Sequence, residues 1–188
     1  MTTTINADTV VGGAVVTADA SGQLGLQAAG TTVLTLASGD VTVANKISAV
    51  GTASTAGLKI ADVLETATVS ATAATGTINY DVTTQAVLYY TTNASANWTV
   101  NFRGSSGTSL NTLMATGESV TVAFLVTQGA TAYYNSAVQV DGGSVTPKWQ
   151  GGTAPAAGNA SSIDAYTYTI IKTGAATFTV FAAQTRFA

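Results

Sequence analysis

The sequence predicts an all-β chain: an extended β arm over residues 1–75, then an antiparallel, jelly-roll-like β-sandwich over residues 76–188. Three observations lead there. Apolar and polar residues alternate with a period of two in one segment after another, the spacing of strands with a single buried face. All seven tyrosines, both tryptophans and all five phenylalanines stand at Tyr80 or later. Only 8% of the 188 residues are charged, so threonine rather than lysine or glutamate fills the outward strand positions, which suits β propensity without adding charge.

The first 75 residues contain no aromatic side chain, and a core needs bulky residues to fill it. This segment therefore reads as an arm that gains order against copies of itself or a partner. Within it, Leu24 and Leu26 alternate with Gly25 and Gln27, and Leu34 and Leu36 with Thr35 and Ala37. Ser38-Gly39-Asp40 reads as a turn before Val41 and Val43 resume the alternation. Leu58 to Glu65, with Leu58, Asp62 and Glu65 on one face, is the one helical candidate, but it is short, uncapped and mixed in polarity, so a non-helical segment is the favoured reading.

From Thr66 onward the strand signals are denser. Trp98, Val100 and Phe102 alternate with Thr99 and Asn101; Val120, Val122, Phe124 and Val126 alternate with Thr121, Ala123, Leu125 and Thr127. Tyr166, Tyr168 and Ile170 repeat the pattern, as do Phe178 and Val180. Further strands are expected at Ile78–Asp81, Ala86–Thr91, Ala132–Val140 and Val145–Gln150, the last two joined as a hairpin through Asp141-Gly142-Gly143-Ser144. Many short strands with regular turns indicate a sandwich. Tyr89-Tyr90 is an adjacent pair, so one tyrosine points away from the core face of its sheet, and a subunit interface is the expected destination.

Composition excludes several function classes. There is no histidine and no cysteine, which removes disulfides, thiolate metal sites and the commonest general bases and nucleophiles. With a net charge of −3 and six scattered cations, the chain lacks the basic patch of a nucleic-acid binder. Its apolar stretches, such as Val120 to Val126 and Phe178 to Ala183, are too short to span a membrane, and the opening residues do not resemble a secretion signal. A mean hydropathy of +0.34 with so few charges points to surface buried between subunits.

No motif assigns a catalytic, cofactor-binding or metal site. Asp62 and Glu65 form an acidic pair without a third ligand, and read as solvated carboxylates beside Lys59. Asn93-Ala94-Ser95, Asn97-Trp98-Thr99 and Asn159-Ala160-Ser161 match the glycosylation pattern by coincidence in a chain rich in these residues. Gly104-Ser105-Ser106-Gly107 lacks the Lys-Ser/Thr ending of a phosphate loop and reads as a turn. Trp149, Tyr133, Tyr134, Tyr89 and Tyr90 are candidates for stacking on sugars, weighed against core and interface roles. Gly151 to Ser162 is a long loop, expected at an exposed tip or against a neighbour.

The opening Met1-Thr2-Thr3-Thr4-Ile5-Asn6-Ala7-Asp8 and the stretch Ser21-Gly22-Gln23-Leu24-Gly25-Leu26-Gln27-Ala28-Ala29-Gly30-Thr31-Thr32-Val33-Leu34-Thr35-Leu36 resemble segments of structural proteins of tailed bacteriophages. Residues Val138 to Gly152 and Ile163 to Lys172 resemble the C-terminal domain of virion proteins of marine phages and cyanophages. The resemblance implies a non-enzymatic virion component, either a capsid decoration (cement) protein or a short tail-associated fibre. It implies docking through the arm to the major capsid or tail protein, assembly as a homotrimer, and location on the capsid or tail surface. The alternative is a carbohydrate- or receptor-binding module at a fibre tip, with a host-surface glycan as partner.

Overall fold

A computed structural model of the chain describes residues 27–28, 31–32, 58 and 60–187. They fall in two units, Met1–Lys59 and Ile60–Ala188. In the first, β1 (Gln27–Ala28) pairs antiparallel with β2 (Thr31–Thr32), Ala28 opposite Thr31. Apart from Gln27, the arm strands and turn expected between Leu24 and Val43 lie outside the described residues.

The second unit is built from ten strands: β3 (Ala67–Ala73), β4 (Gly76–Asp81), β5 (Val87–Thr92), β6 (Trp98–Arg103), β7 (Ser119–Thr127), β8 (Asn135–Val140), β9 (Gly143–Val145), β10 (Lys148–Trp149), β11 (Ile163–Gly174) and β12 (Thr177–Phe187). One short helix, α1 (Leu110–Leu113), sits between β6 and β7. A six-stranded sheet has the order β10-β12-β11-β7-β5-β3, and a four-stranded sheet the order β4-β6-β8-β9. The expected all-β character holds, and each strand expected from Ile78 to Val140 is present within three residues of its reading at either end.

The pairing differs from the expectation. From β3 to β8 the chain crosses to the opposite sheet after every strand, so each strand returns beside its predecessor but one and runs parallel to it. Three turns of a flattened coil result: β3–β4, β5–β6 and β7–β8. Asn79 faces Asn101, 22 residues on, whereas Trp98 and Asn135 are 37 apart, because the third turn also carries α1. Antiparallel pairing between strands is confined, among the described residues, to β1–β2, β7–β11–β12 and β8–β9. The antiparallel sandwich expected from the sequence is thus corrected to a sandwich of two mixed sheets. The physical reason is that inward–outward alternation is the same in both pairings; direction is set by which sheet a link enters, and links such as Ala74-Thr75 carry no sign of that.

The stretch from Ile60 to Glu65 is exposed and non-helical, as is Leu58. The compact unit begins at Ile60, and β3, expected within the arm, pairs with β5 as an edge strand. The strand expected over Val145–Gln150 is split: β9 belongs to one sheet and β10 to the other, with Pro147, which has no N–H for a ladder, between them. The hairpin at Asp141 is confirmed; Asp141 (φ 52°) and Gly142 (φ 80°) both take the left-handed conformation its tight turn needs.

The inward faces of the two sheets meet in one core. Ile78 and Tyr80 of β4, Trp98, Val100 and Phe102 of β6, and Val138 and Val140 of β8 face Leu88, Val122, Phe124, Val126, Tyr166, Tyr168, Ile170 and Val180. Aromatic rings bridge the sheets: Phe102 lies 4.8 Å from Tyr168, and Trp98 5.6 Å from Tyr166 and 6.0 Å from Phe124. The Tyr80 hydroxyl donates to the carbonyls of Ala86 (2.6 Å) and Ala123 (3.2 Å), tying β4 to the opposite sheet.

Helix α1 is held at both ends by distant side chains. Asp141 accepts from the N–H groups of Leu110 (2.6 Å) and Asn111 (2.9 Å), while the buried Lys172 ammonium donates to the carbonyls of Asn111 (2.6 Å) and Met114 (2.8 Å). Both ends of a helix carry backbone groups without intrahelical partners, and here two charges supply them. Lys172→Met keeps the aliphatic stem but strands both carbonyls, so a loss of about 1.5–3 kcal/mol is expected. Urea unfolding at neutral pH measures it; an unchanged midpoint would show that the ammonium contributes nothing.

Candidate functional site

The two outer faces of the sandwich differ in chemistry. On the four-stranded sheet, Thr77, Asn79 and Asp81 of β4 align with Thr99, Asn101 and Arg103 of β6. The Asn101 amide donates to Asn79 Oδ1 at 2.8 Å, and Arg103 Nε pairs with Asp81 at 2.5 Å. Gln139 of β8 continues the asparagine row. The hydrogen bond to Asp81 is the main cause holding the Arg103 guanidinium above its usual value, opposed by partial desolvation. This is a polar, water-facing surface.

The outer face of the six-stranded sheet carries no charged side chain on β3, β5, β7, β11 or β12. Its register gives a row Val69–Tyr89–Leu125–Ala165–Thr185 and a second row Ala67–Val87–Ala123–Thr167–Ala183. Thr121, Thr169 and Phe181 continue it, with the two threonine hydroxyls 3.0 Å apart. The charges that these strands do carry, Asp164, Lys172 and Arg186, stand at the opposite parity. Lys148, opposite Phe181 on the short edge strand β10, marks the rim. Of the large apolar side chains that are exposed among the described residues, Val69, Phe181 and Phe187 belong to this face, Leu58, Ile60, Val63 and Leu64 to the segment leading into β3, and Leu113 to α1.

The aromatic candidates are not gathered into one platform. Tyr89 and Tyr90 point to opposite faces of β5: Tyr90 packs edge-on against Phe124 at 5.3 Å, and Tyr89 stands on the uncharged outer face. Tyr133 packs on the core. Trp149 is half-buried and edge-on to Tyr166 (6.4 Å) and Tyr168 (6.3 Å), leaving one side toward a groove of about 650 Å³ between β8, Pro147 and Pro155. No other aromatic candidate lines that groove. Asp62 and Glu65 are exposed, Asp62 accepting from its neighbour's N–H, and among the described residues no acidic cluster could hold a metal ion. Gly104–Gly107 forms a turn closed by Ser105 and Thr108, as read from the sequence. No described helix is long and apolar enough to cross a membrane.

Sequence reasoning missed a buried polar knot at the β7–β8 link. Gln128 closes that link by accepting from the Tyr133 N–H (2.9 Å) and donating to the Tyr133 carbonyl (2.7 Å). The same amide donates to Asp164 Oδ2 at 3.0 Å, which also accepts from the Asn159 N–H at 3.0 Å. Asp164 is fully buried and its Oδ1 has no partner. Burial raises its carboxyl above the usual range, opposed by the bonds from Asn159 and Gln128 and by the Arg186 charge. The folded state thus binds this proton more readily than the unfolded chain does. Stability from this group is present below the ordinary carboxyl pKa of about 3.9 and is lost as pH rises through the raised value. Asp164→Asn can keep both accepted bonds without a charge, so wild type should lose stability relative to this variant as pH rises from about 4 to 7. Urea midpoints across that range test it; a constant difference would show that Asp164 does not titrate differently on folding.

No protein-family model matches the chain, and no curated protein and no solved structure matches it.

Proposed function

We propose that this protein is a non-enzymatic structural component of a bacteriophage virion, a capsid decoration protein or short tail-associated fibre that assembles as a homotrimer and docks to a capsid or tail protein through its N-terminal segment. The observation that supports this most is the uncharged outer face of the six-stranded sheet, beside a second outer face with the polar side chains of an ordinary water-facing surface. Soluble surfaces keep interspersed charge, and a sheet face without it suits burial. Rigidity fits the same role: each coil turn is paired to the next, and aromatic rings lock the sheets together.

Light scattering on the purified full chain should give about three times the 18.7 kDa chain mass. A monomer at micromolar concentration would refute self-assembly. For docking, the full chain should attach to particles that lack it, whereas a chain trimmed to residues 60–188 should not. Equal attachment would locate the contact on the sandwich.

A further inference from the structure

We infer that copies of this chain meet through the outer face of the six-stranded sheet, with Tyr89 and Thr167 inside the contact. This rests on the self-assembly reading above and names the surface that performs it. Charge is the first argument for a second copy as occupant. With no charged side chain across five of its six strands and only Lys148 at the rim, the face offers little for an oppositely charged partner to recognise, and little that repels its own duplicate. The four-stranded face, with Asp81 and Arg103, supplies the contrast within the same fold.

Area is the second argument. Six strands about 4.8 Å apart and a central strand of nine residues make a face of roughly 700 Å² before side-chain relief. A specific interface buries about 800 Å² per partner, so this face alone is close to the required size. Shape is the third. Threonine, alanine and valine form a low surface bearing the partly exposed Tyr89 and the exposed Phe181, and three such faces can turn inward about a three-fold axis, each meeting its two neighbours. Lys148 lies at the rim, where interfaces carry their polar groups.

The test compares one change on the two outer faces of the full chain. Thr167 and Thr77 are both exposed threonines on strands, one on each face. Thr167→Lys, alone and with Tyr89→Lys, should give monomer by light scattering at a concentration where wild type and Thr77→Lys remain assembled. Circular dichroism should show all of them β-rich. Assembly of the Thr167→Lys, Tyr89→Lys pair like wild type, or dissociation by Thr77→Lys alone, would overturn the assignment of the face while leaving self-assembly standing. A monomeric wild type would overturn both.

A second measurement covers the case in which a lysine variant does not fold. The chain has no cysteine, so Thr167→Cys and Thr77→Cys each carry a single thiol. Because the core of an interface excludes solvent, maleimide should label Thr167→Cys at least about tenfold more slowly than Thr77→Cys in the assembled protein. Equal rates would show the face open to water and overturn the proposal.

Discussion

Trp98→Ala is expected to lower the stability of the sandwich by about 3–5 kcal/mol, the range for removing a large aromatic side chain from a core. Trp98 is 1% exposed and begins β6, which is paired on both sides, to β4 and to β8. Its ring meets Tyr166 edge-on at 86° and Phe124 at 76°, both on the opposite sheet. The space left by alanine cannot close by moving one strand, because β6 is held by two neighbours and the facing rings belong to paired strands. The indole N–H is buried without a partner, a standing penalty that phenylalanine would remove. Trp98→Phe should therefore be much milder than Trp98→Ala. Urea unfolding of both variants checks the order; a loss below about 1 kcal/mol for Trp98→Ala would place Trp98 outside the core.

Much of this core is legible in the sequence. Trp98, Val100 and Phe102, or Val122, Phe124 and Val126, declare an inward face by alternation alone, and the fold buries all six. The Asp141-Gly142 turn is legible because few dipeptides accept two left-handed residues in succession. Strand direction is not, since a parallel coil and an antiparallel sandwich write the same inward–outward code. Helix α1 leaves little trace beyond its N-cap Ser109, which accepts from the Thr112 N–H: it is four residues long, and its other end groups are satisfied by Asp141 and Lys172, both remote in sequence. Strand β3 is hidden by composition. Ala67–Ala73 contains no bulky residue because an edge strand beside Tyr89 and Leu88 has little to bury.

The candidate interface is half legible. Tyr89-Tyr90 requires one ring to leave the core, and the fold turns Tyr89 outward. That its neighbours on the face lack charge follows only from the register of five strands, because Asp164, Lys172 and Arg186 lie within β11 and β12 and only parity keeps them off this face. The same parity explains why Asp164 is buried. It stands opposite Val126 on the core side, where the β7–β8 link and the loop before β11 close over it.

Gly158→Ala tests that closure, with an expected loss of about 3 kcal/mol, the upper part of the range for overpacking a filled site. Gly158 is buried, and its φ is not in the left-handed region, so the argument concerns space alone. A methyl group there would collide with the Tyr133 carbonyl oxygen, stand 2.5 Å from Asp164 Oδ2 and 2.9 Å from Gln128 Nε2. None of these can yield cheaply. The carbonyl is backbone held by Gln128, and the carboxylate accepts from both that amide and the Asn159 N–H. The loop must therefore lift, which also loosens Ala157, whose carbonyl accepts from Gln184 (3.2 Å) and Arg186 (3.0 Å) of β12. Two readouts separate this from a general loss of stability. The unfolding midpoint should fall, and the Asn159 amide should exchange its hydrogen faster than the strand amides of β7 and β11, whose protection follows global stability. If the midpoint holds and the Asn159 amide stays protected, the buried knot has room to spare, and the long loop is held by something other than Gln128 and Asp164.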